Sequence, residues 1–185
     1  MAIDSQASLM PVHSRYVENA RFLRNGVLFV TAHVVGSNNG LEGTDLEAAS
    51  EYFERNRANI AWLDESFKLA RDQGAKAVVV ALHANLYDTK QKNPWMAQAS
   101  GHLDTVKALE RGAKSFAKPL LVIHGDEHEF EIQGLVGADY KRIPNAWRMQ
   151  VMGETHMHAV KITVDPTSSG VFSYTPLIVP ENGPQ

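Results

Sequence analysis

The 185-residue chain contains no cysteine. That absence excludes disulfides, thiolate zinc sites and cysteine nucleophiles. No apolar run approaches the roughly 20 residues of a membrane span, so no membrane partner is expected. Charge of neither sign dominates: Lys and Arg number 18, Asp and Glu 21, for a formal net charge of -3. Such a balance offers no electrostatic reason to expect nucleic acid or an acidic membrane surface. Residues 1–11 lack a basic start followed by an apolar core, so no signal peptide is expected and a cytoplasmic location is the default. Internal repeats and low-complexity stretches are missing too.

What is present suits one domain, 1–185, with 44% hydrophobic residues to fill a core. Residues 1–15 and 180–185 read as loose tails. A β-branched apolar run over 26–35 predicts a buried strand, followed by the tight polar loop Gly36-Ser37-Asn38-Asn39-Gly40. The spacing of Ala58, Ala61, Trp62, Phe67 and Leu69 predicts a helix over 45–73, stopped by Gly74. A strand over 77–82, a helix over 102–116 and a strand over 120–123 complete a β-α-β-α-β alternation. That order predicts an α/β fold with a parallel-rich central sheet and flanking helices. Further on, residues 147–151 and 158–164 alternate in type, and 165–170 form a strong turn signal before 171–174. These predict an antiparallel C-terminal hairpin closing the sheet edge.

The chemistry concentrates where two strands end. The apolar run Leu120-Leu121-Val122-Ile123 delivers His124-Gly125-Asp126-Glu127-His128-Glu129, and the run 77–82 delivers His83-Ala84-Asn85. Open α/β proteins build their sites at the C-terminal ends of parallel strands. Neutral imidazoles there are common metal ligands. Asp126 precedes His128 by two residues, so on a turn both side chains can converge on one cation. A carboxylate beside imidazoles suits manganese, iron or zinc better than calcium or magnesium. Asn38, Asn39 and Asn85 on the same rim could coordinate a metal or donate to an oxyanion. Glu127 and Glu129 are acid/base candidates or solvated charges. A single His after a strand also serves as a structural, hydrogen-bonded residue; adjacent strand ends strengthen the ligand reading.

Other features read as structural. His156 and His158 share a strand face without a third partner nearby in sequence. Ser37 lacks a Gly-x-Ser-x-Gly elbow, and the Gly36/Gly40 spacing carries no Lys and is no P-loop. Trp62 and Phe67 read as core. Trp95, in a polar stretch with Pro94, reads as a rim or interface aromatic.

At these residues the chain resembles the calcineurin-like metallophosphoesterases. His83-Ala84-Asn85-Leu86-Tyr87 is similar to that family's His-x-Pro-x-Tyr, with Asn85 in place of Pro, and Gly125-Asp126-Glu127-His128 to its Gly-His-x-His, with Asp126 in place of the first His. Trp62-Leu63 resembles the family's Trp-Leu segment. Gly36-Ser37-Asn38-Asn39 and His124-Gly125-Asp126-Glu127-His128 resemble a bacterial branch with a Val-x-Gly-Ser-Asn-Asn loop and a His-Gly-Asp-x-His turn. The likeness runs from about residue 16 to 179 and covers the C-terminal half of the family pattern. The family's Asp-x-His, Gly-Asp-x-x-Asp and Gly-Asn-His-Asp/Glu motifs do not occur before Val27.

The resemblance implies half of a metallophosphoesterase-like β-sandwich. It implies a divalent metal ion (Mn, Fe or Zn), one per chain, held by His83, Asp126 and His128, with His124 or Glu127 for proton transfer and Asn38 or Asn39 stabilising charge. The implied activity is metal-dependent hydrolysis of a phosphoester or another small ester or lactone. An incomplete sandwich leaves an apolar edge and face, so a homo-oligomer, most simply a dimer, is expected. The alternative is a non-catalytic binding or assembly protein on the same scaffold.

Overall fold

The computed structural model describes residues 2–87, 99–154 and 157–182; Pro94, Trp95 and His156 lie outside them. The described residues form an α/β fold around a seven-stranded mixed sheet. Its strands are β1 (Asp4–Ser5), β2 (Ala20–Arg24), β3 (Val27–Thr31), β4 (Ala77–Ala81), β5 (Leu120–His124), β6 (Glu131–Val136) and β7 (Arg142–Gln150), in the spatial order β1-β2-β3-β4-β5-β7-β6. The central strands β3, β4, β5 and β7 run parallel, and the outer pairs are antiparallel. β4 and β5 are apolar nearly throughout: the helices cover one sheet face and the C-terminal hairpin packs over part of the other.

The helices are α1 (Gln6–Leu9), α3 (Leu46–Asp72) and α4 (Leu103–Phe116), while the four-residue stretch α2 (Gly36–Asn39) is a left-handed turn with Ser37, Asn38 and Asn39 at φ of 51°, 55° and 56°. Asp45 starts α3 by accepting the N–H groups of Glu47 and Ala48 at 2.9 and 3.0 Å. One stripe of α3 then buries Ala58, Trp62, Leu63, Phe67 and Ala70 against the sheet. Trp62 is fully buried, and its Nε1 donates to Thr31 O at 3.0 Å. Removing about 200 Å² of indole from water contributes on the order of 5 kcal/mol. α4 packs on α3 and needs Gly112 there: a Cβ on Gly112 would lie 2.1 Å from Phe67 Cδ2. Among the described residues no helix is long and apolar enough to cross a membrane.

The hairpin of β8 (Ala159–Val164) and β9 (Phe172–Leu177) differs from expectation. It is a separate two-stranded sheet rather than an extension of the main sheet's edge. Val160, Ile162 and Val164 point inward and pack, with Phe172 and Tyr174, on the sheet face opposite the helices. Phe172 meets Trp147 edge-on at 6.3 Å. The hairpin leaves part of that face bare. A groove of about 380 Å³ runs between β8 and strands β2–β4, lined by Phe22, Phe29, Val79, Ile123, Ile162 and Val164 among others.

The N-terminal segment, read from the sequence as a loose tail, is anchored instead. β1 pairs with β2, and the fully buried Gln6 donates to Ala58 O at 2.7 Å. Asn19 bridges Gln6 Oε1 and Asn59 Oδ1 at 2.7 and 2.9 Å. Buried amides satisfy one another here, and the pull is polar rather than apolar. At the other end Asn182 donates to Met157 O at 2.6 Å.

Candidate functional site

The parallel strands continue to be stitched together beyond their ends. His83 and Ala84 donate backbone N–H groups to Val34 O (3.2 Å each), Gly125 donates to His83 O (3.0 Å), and Val151 donates to His124 O (2.9 Å). The loops after β3, β4, β5 and β7 thereby meet at one edge. Ser37, Asn38, Asn39, Asp126, His128 and Glu154 there all have positive φ, between 50° and 80°. Left-handed non-glycine residues cost energy and concentrate where side chains are aimed for function.

Asp126 joins these loops. Its Oδ2 accepts the Asn85 backbone N–H at 2.9 Å, and its Oδ1 lies 3.9 Å from His83 Nε2. A Cβ on Gly36 would sit 2.9 Å from Asp126 Oδ1, so the carboxylate packs on bare backbone. Asp126 is about a quarter exposed, and His83 opens outward with 60% of its side chain exposed. Nitrogen and oxygen ligands bind zinc-like ions at about 2.1 Å, so two of them around one ion are at most about 4.2 Å apart. The observed 3.9 Å lies inside that limit. It is wider than the about 3.4 Å between two ligand atoms of a tetrahedral site, so His83 and Asp126 would have to close slightly to share one ion.

His128 does not join them. Its Nδ1 pairs with Glu154 Oε2 at 3.1 Å, and its ring packs against Gly153. Among the described residues no three His, Asp or Glu side chains converge closely enough to hold an ion. The expected set of His83, Asp126 and His128 is therefore present as a pair plus a displaced third member. Glu127 closes the turn through its N–H on Gly125 O (3.2 Å), and Glu129 is exposed.

His124 lies just inside the site and is 3% exposed. Burial pushes its pKa below the ordinary imidazole value, which favours the neutral ring. Nδ1 is 3.1 Å from Gly125 O; with the proton placed on Nδ1 to donate there, the Nε2 lone pair is available. The residue 3.5 Å from that Nε2 is Arg148 of β7, through Nη1. The Arg148 guanidinium carbon sits 5.1 Å over the Tyr87 ring. Burial pushes the Tyr87 hydroxyl up to about 12, and it donates its proton to Val136 O at 2.7 Å.

The asparagines divide by role. Asn85 Oδ1 accepts Tyr87 N–H at 3.2 Å, and its own N–H orients Asp126. Asn38 accepts Gly101 N–H at 2.8 Å and donates to Leu41 O and Ala99 O. Asn39 is fully buried: Oδ1 accepts Val35 N–H (3.2 Å) and Arg55 Nη1 (2.6 Å), while Nδ2 donates to Gly101 O (3.0 Å). Those bonds engage the amide in holding the loop, not in facing a substrate. Arg55, 2% exposed, completes the hub with Glu51 at 2.7 and 2.8 Å.

That hub carries a pH dependence. The Arg55 guanidinium hydrogen-bonded to Glu51 holds its carboxyl below the usual range. Above the unfolded carboxylate pKa, about 4.3, the stabilisation is fully present. Below it the unfolded chain binds the proton first, so stability falls until the folded carboxyl also protonates. Urea midpoints between pH 6 and pH 3 are expected to fall less in Glu51→Gln than in the native chain; equal falls would contradict the pairing.

Arg148 and Gly36, which lie beside His124 and Asp126, carry no distinctive signal in the sequence. Arg148 sits in an alternating strand and looks like any solvent-facing base. Gly36 reads as a strand terminator, although the Asp126 carboxylate needs its missing side chain. In comparisons with known proteins the chain matches no family model and no curated protein.

Proposed function

We propose that the chain is a metal-dependent hydrolase of a phosphoester or another small ester or lactone, related to the calcineurin-like metallophosphoesterases. The observation that supports it most is the His83–Asp126 pair, 3.9 Å apart at the meeting point of the strand-end loops. A bound manganese, iron or zinc ion, one per chain, would polarise the ester and make a water acidic near neutral pH. His83 and Asp126 would hold the ion, and Asn85 fixes the carboxylate through its backbone N–H. Two protein donors leave room for water and substrate. His124, held neutral by burial, and Glu127 on the same turn are the candidate proton-transfer groups. Asn39 supports the loop rather than the reacting atoms.

Aryl phosphomonoesters, phosphodiesters, carboxylic esters and lactones, each tested with manganese, iron or zinc, examine this reading. Hydrolysis that needs metal and disappears in His83→Ala and Asp126→Ala is expected. No turnover of any class under metal saturation would contradict it.

The apolar groove beside β8 favours a second reading, a binding or assembly protein that covers this face with a second copy of the chain. Light scattering at micromolar concentration tests the assembly reading. A dimer that dissociates when Phe29 is replaced by Glu supports assembly, and a monomer rules it out.

A further inference from the structure

We propose that the free edge of β8 and the apolar groove beside it accept an extended peptide segment of another protein, in which apolar residues alternate with acidic ones. The segment adds a third strand to the β8–β9 sheet. It requires neither a metal nor a reaction at the strand-end loops, and its occupant differs from the second copy of the assembly reading.

The register of the hairpin fixes where β8 points its hydrogen-bonding groups. Pro176 faces Val160 and has no N–H to give it. Asp165 N–H donates to Val171 O at 2.8 Å, which makes that a hydrogen-bonded pair. In an antiparallel ladder such pairs alternate with pairs whose N–H and C=O groups turn away from each other. Counting back from Asp165, the residues turned away from β9 are Val164, Ile162 and Val160. Among the described residues these outward N–H and C=O groups take no partner. The side chains of the same three residues pack down on the main sheet.

The groove begins at that edge. Ile162 and Val164 of β8 line it and, among the described residues, none of β9 does; Phe22, Phe29 and Val79 form its floor. Phe22 and Phe29 stack there at 4.9 Å. The volume, about 380 Å³, is that of a ligand site. An acyl chain would fill the floor but strip water from the β8 edge and leave its backbone groups unpaired. An added strand meets both demands: its backbone pairs with β8, and every second side chain enters the groove. A second copy cannot supply its own β8. The two-fold axis that pairs two antiparallel edges keeps both apolar faces on one side. The main sheet beneath one β8 would then collide with β2 and β3 of the other copy.

Charge on this face selects the remaining side chains. Asp4 is turned to the opposite face, 3.8 Å from Arg21, which packs on Trp62 of α3. Arg24 follows Phe22 by two residues and so stands, exposed, on the groove face. Lys161 rises, also exposed, from the outer side of β8. Acidic residues at the outward positions of the added strand complement these cations.

A capped, labelled heptapeptide of alternating Val and Glu is the probe, titrated into the full chain by fluorescence anisotropy. Micromolar binding is expected. In antiparallel pairing the Val N–H groups face β8 and the Glu N–H groups face away. Methylating the Val nitrogens should therefore weaken binding about tenfold, and methylating the Glu nitrogens should leave it unchanged. Phe29→Glu puts a charge in the floor and should weaken binding at least about tenfold; Lys161→Glu should weaken it about threefold. An unmodified peptide that does not bind would overturn the proposal, as would equal affinity for the two methylated peptides or unchanged binding to Phe29→Glu. A dimer that the peptide does not dissociate would overturn it in favour of a second copy. If Phe29→Glu does not melt cooperatively, Lys161→Glu and the methylated peptides decide. Turnover enters none of these readouts, so failure here is separate from failure of the hydrolase reading.

Discussion

Asn39→Ala is expected to destabilise the protein by about 4 kcal/mol, a large fraction of what a domain possesses. The substitution removes a buried amide and strands what it held. Val35 N–H, Gly101 O and one edge of the buried Arg55 guanidinium all lose a partner. Each buried group without a partner costs about 1–3 kcal/mol, more where charge is involved. Asn39 also has φ of 56°, where asparagine is tolerated better than alanine. Asn39→Asp keeps an acceptor for Val35 and Arg55 and loses only the donor to Gly101, so it should recover part of the loss. Chemical denaturation of the three proteins decides. A stable Asn39→Ala that loses only activity would return Asn39 to the catalytic role the sequence suggests.

Gly112→Ala is the second large effect, a loss of about 2 kcal/mol where helix propensity alone favours alanine by about 1 kcal/mol. The new methyl would meet the Phe67 ring at 2.1–2.5 Å. That ring is 1% exposed within the core between α3, α4 and the sheet, so it cannot swing aside. Overpacking of this kind costs about 1–3 kcal/mol, and a chain of this size loses roughly 2–4 °C in Tm for each. Phe67→Leu should cost less in the Gly112→Ala background than alone, because it opens room for the methyl. An unchanged or higher Tm for Gly112→Ala would show that the helices separate without cost.

Legibility followed the kind of force at work. β4, β5 and the stripe of α3 announced themselves because all three are governed by burial of apolar side chains, which survives in the sequence as continuous apolar runs in the strands and as a period of 3.6 in the helix. β2, Ala-Arg-Phe-Leu-Arg, and β6, Glu-Ile-Gln-Gly-Leu-Val, did not. They lie toward the rims of the sheet, where polar residues interrupt the pattern. The hairpin was visible as two strands and a turn, but alternation is the same whether a strand extends a sheet or lies across it. The N-terminal anchor was hidden because amides of Gln6, Asn19 and Asn59 hold it, and polar networks leave no periodic trace.

The site was legible in its strand ends and not in its side-chain directions. The sequence-based grouping of His83 with Asp126 agrees with their proximity. His128 sits at a positive φ and turns to Glu154, which spacing along a turn does not reveal. Arg148 comes from a strand well downstream of His124 and meets it only through the parallel pairing of β5 and β7.

Elemental analysis of tag-free protein, native and with His83→Ala plus Asp126→Ala, tests the central claim most directly. The expected result is about one manganese, iron or zinc ion per native chain, absent from the double variant, with both proteins melting cooperatively. A native chain that carries no metal and takes none up on titration would contradict it.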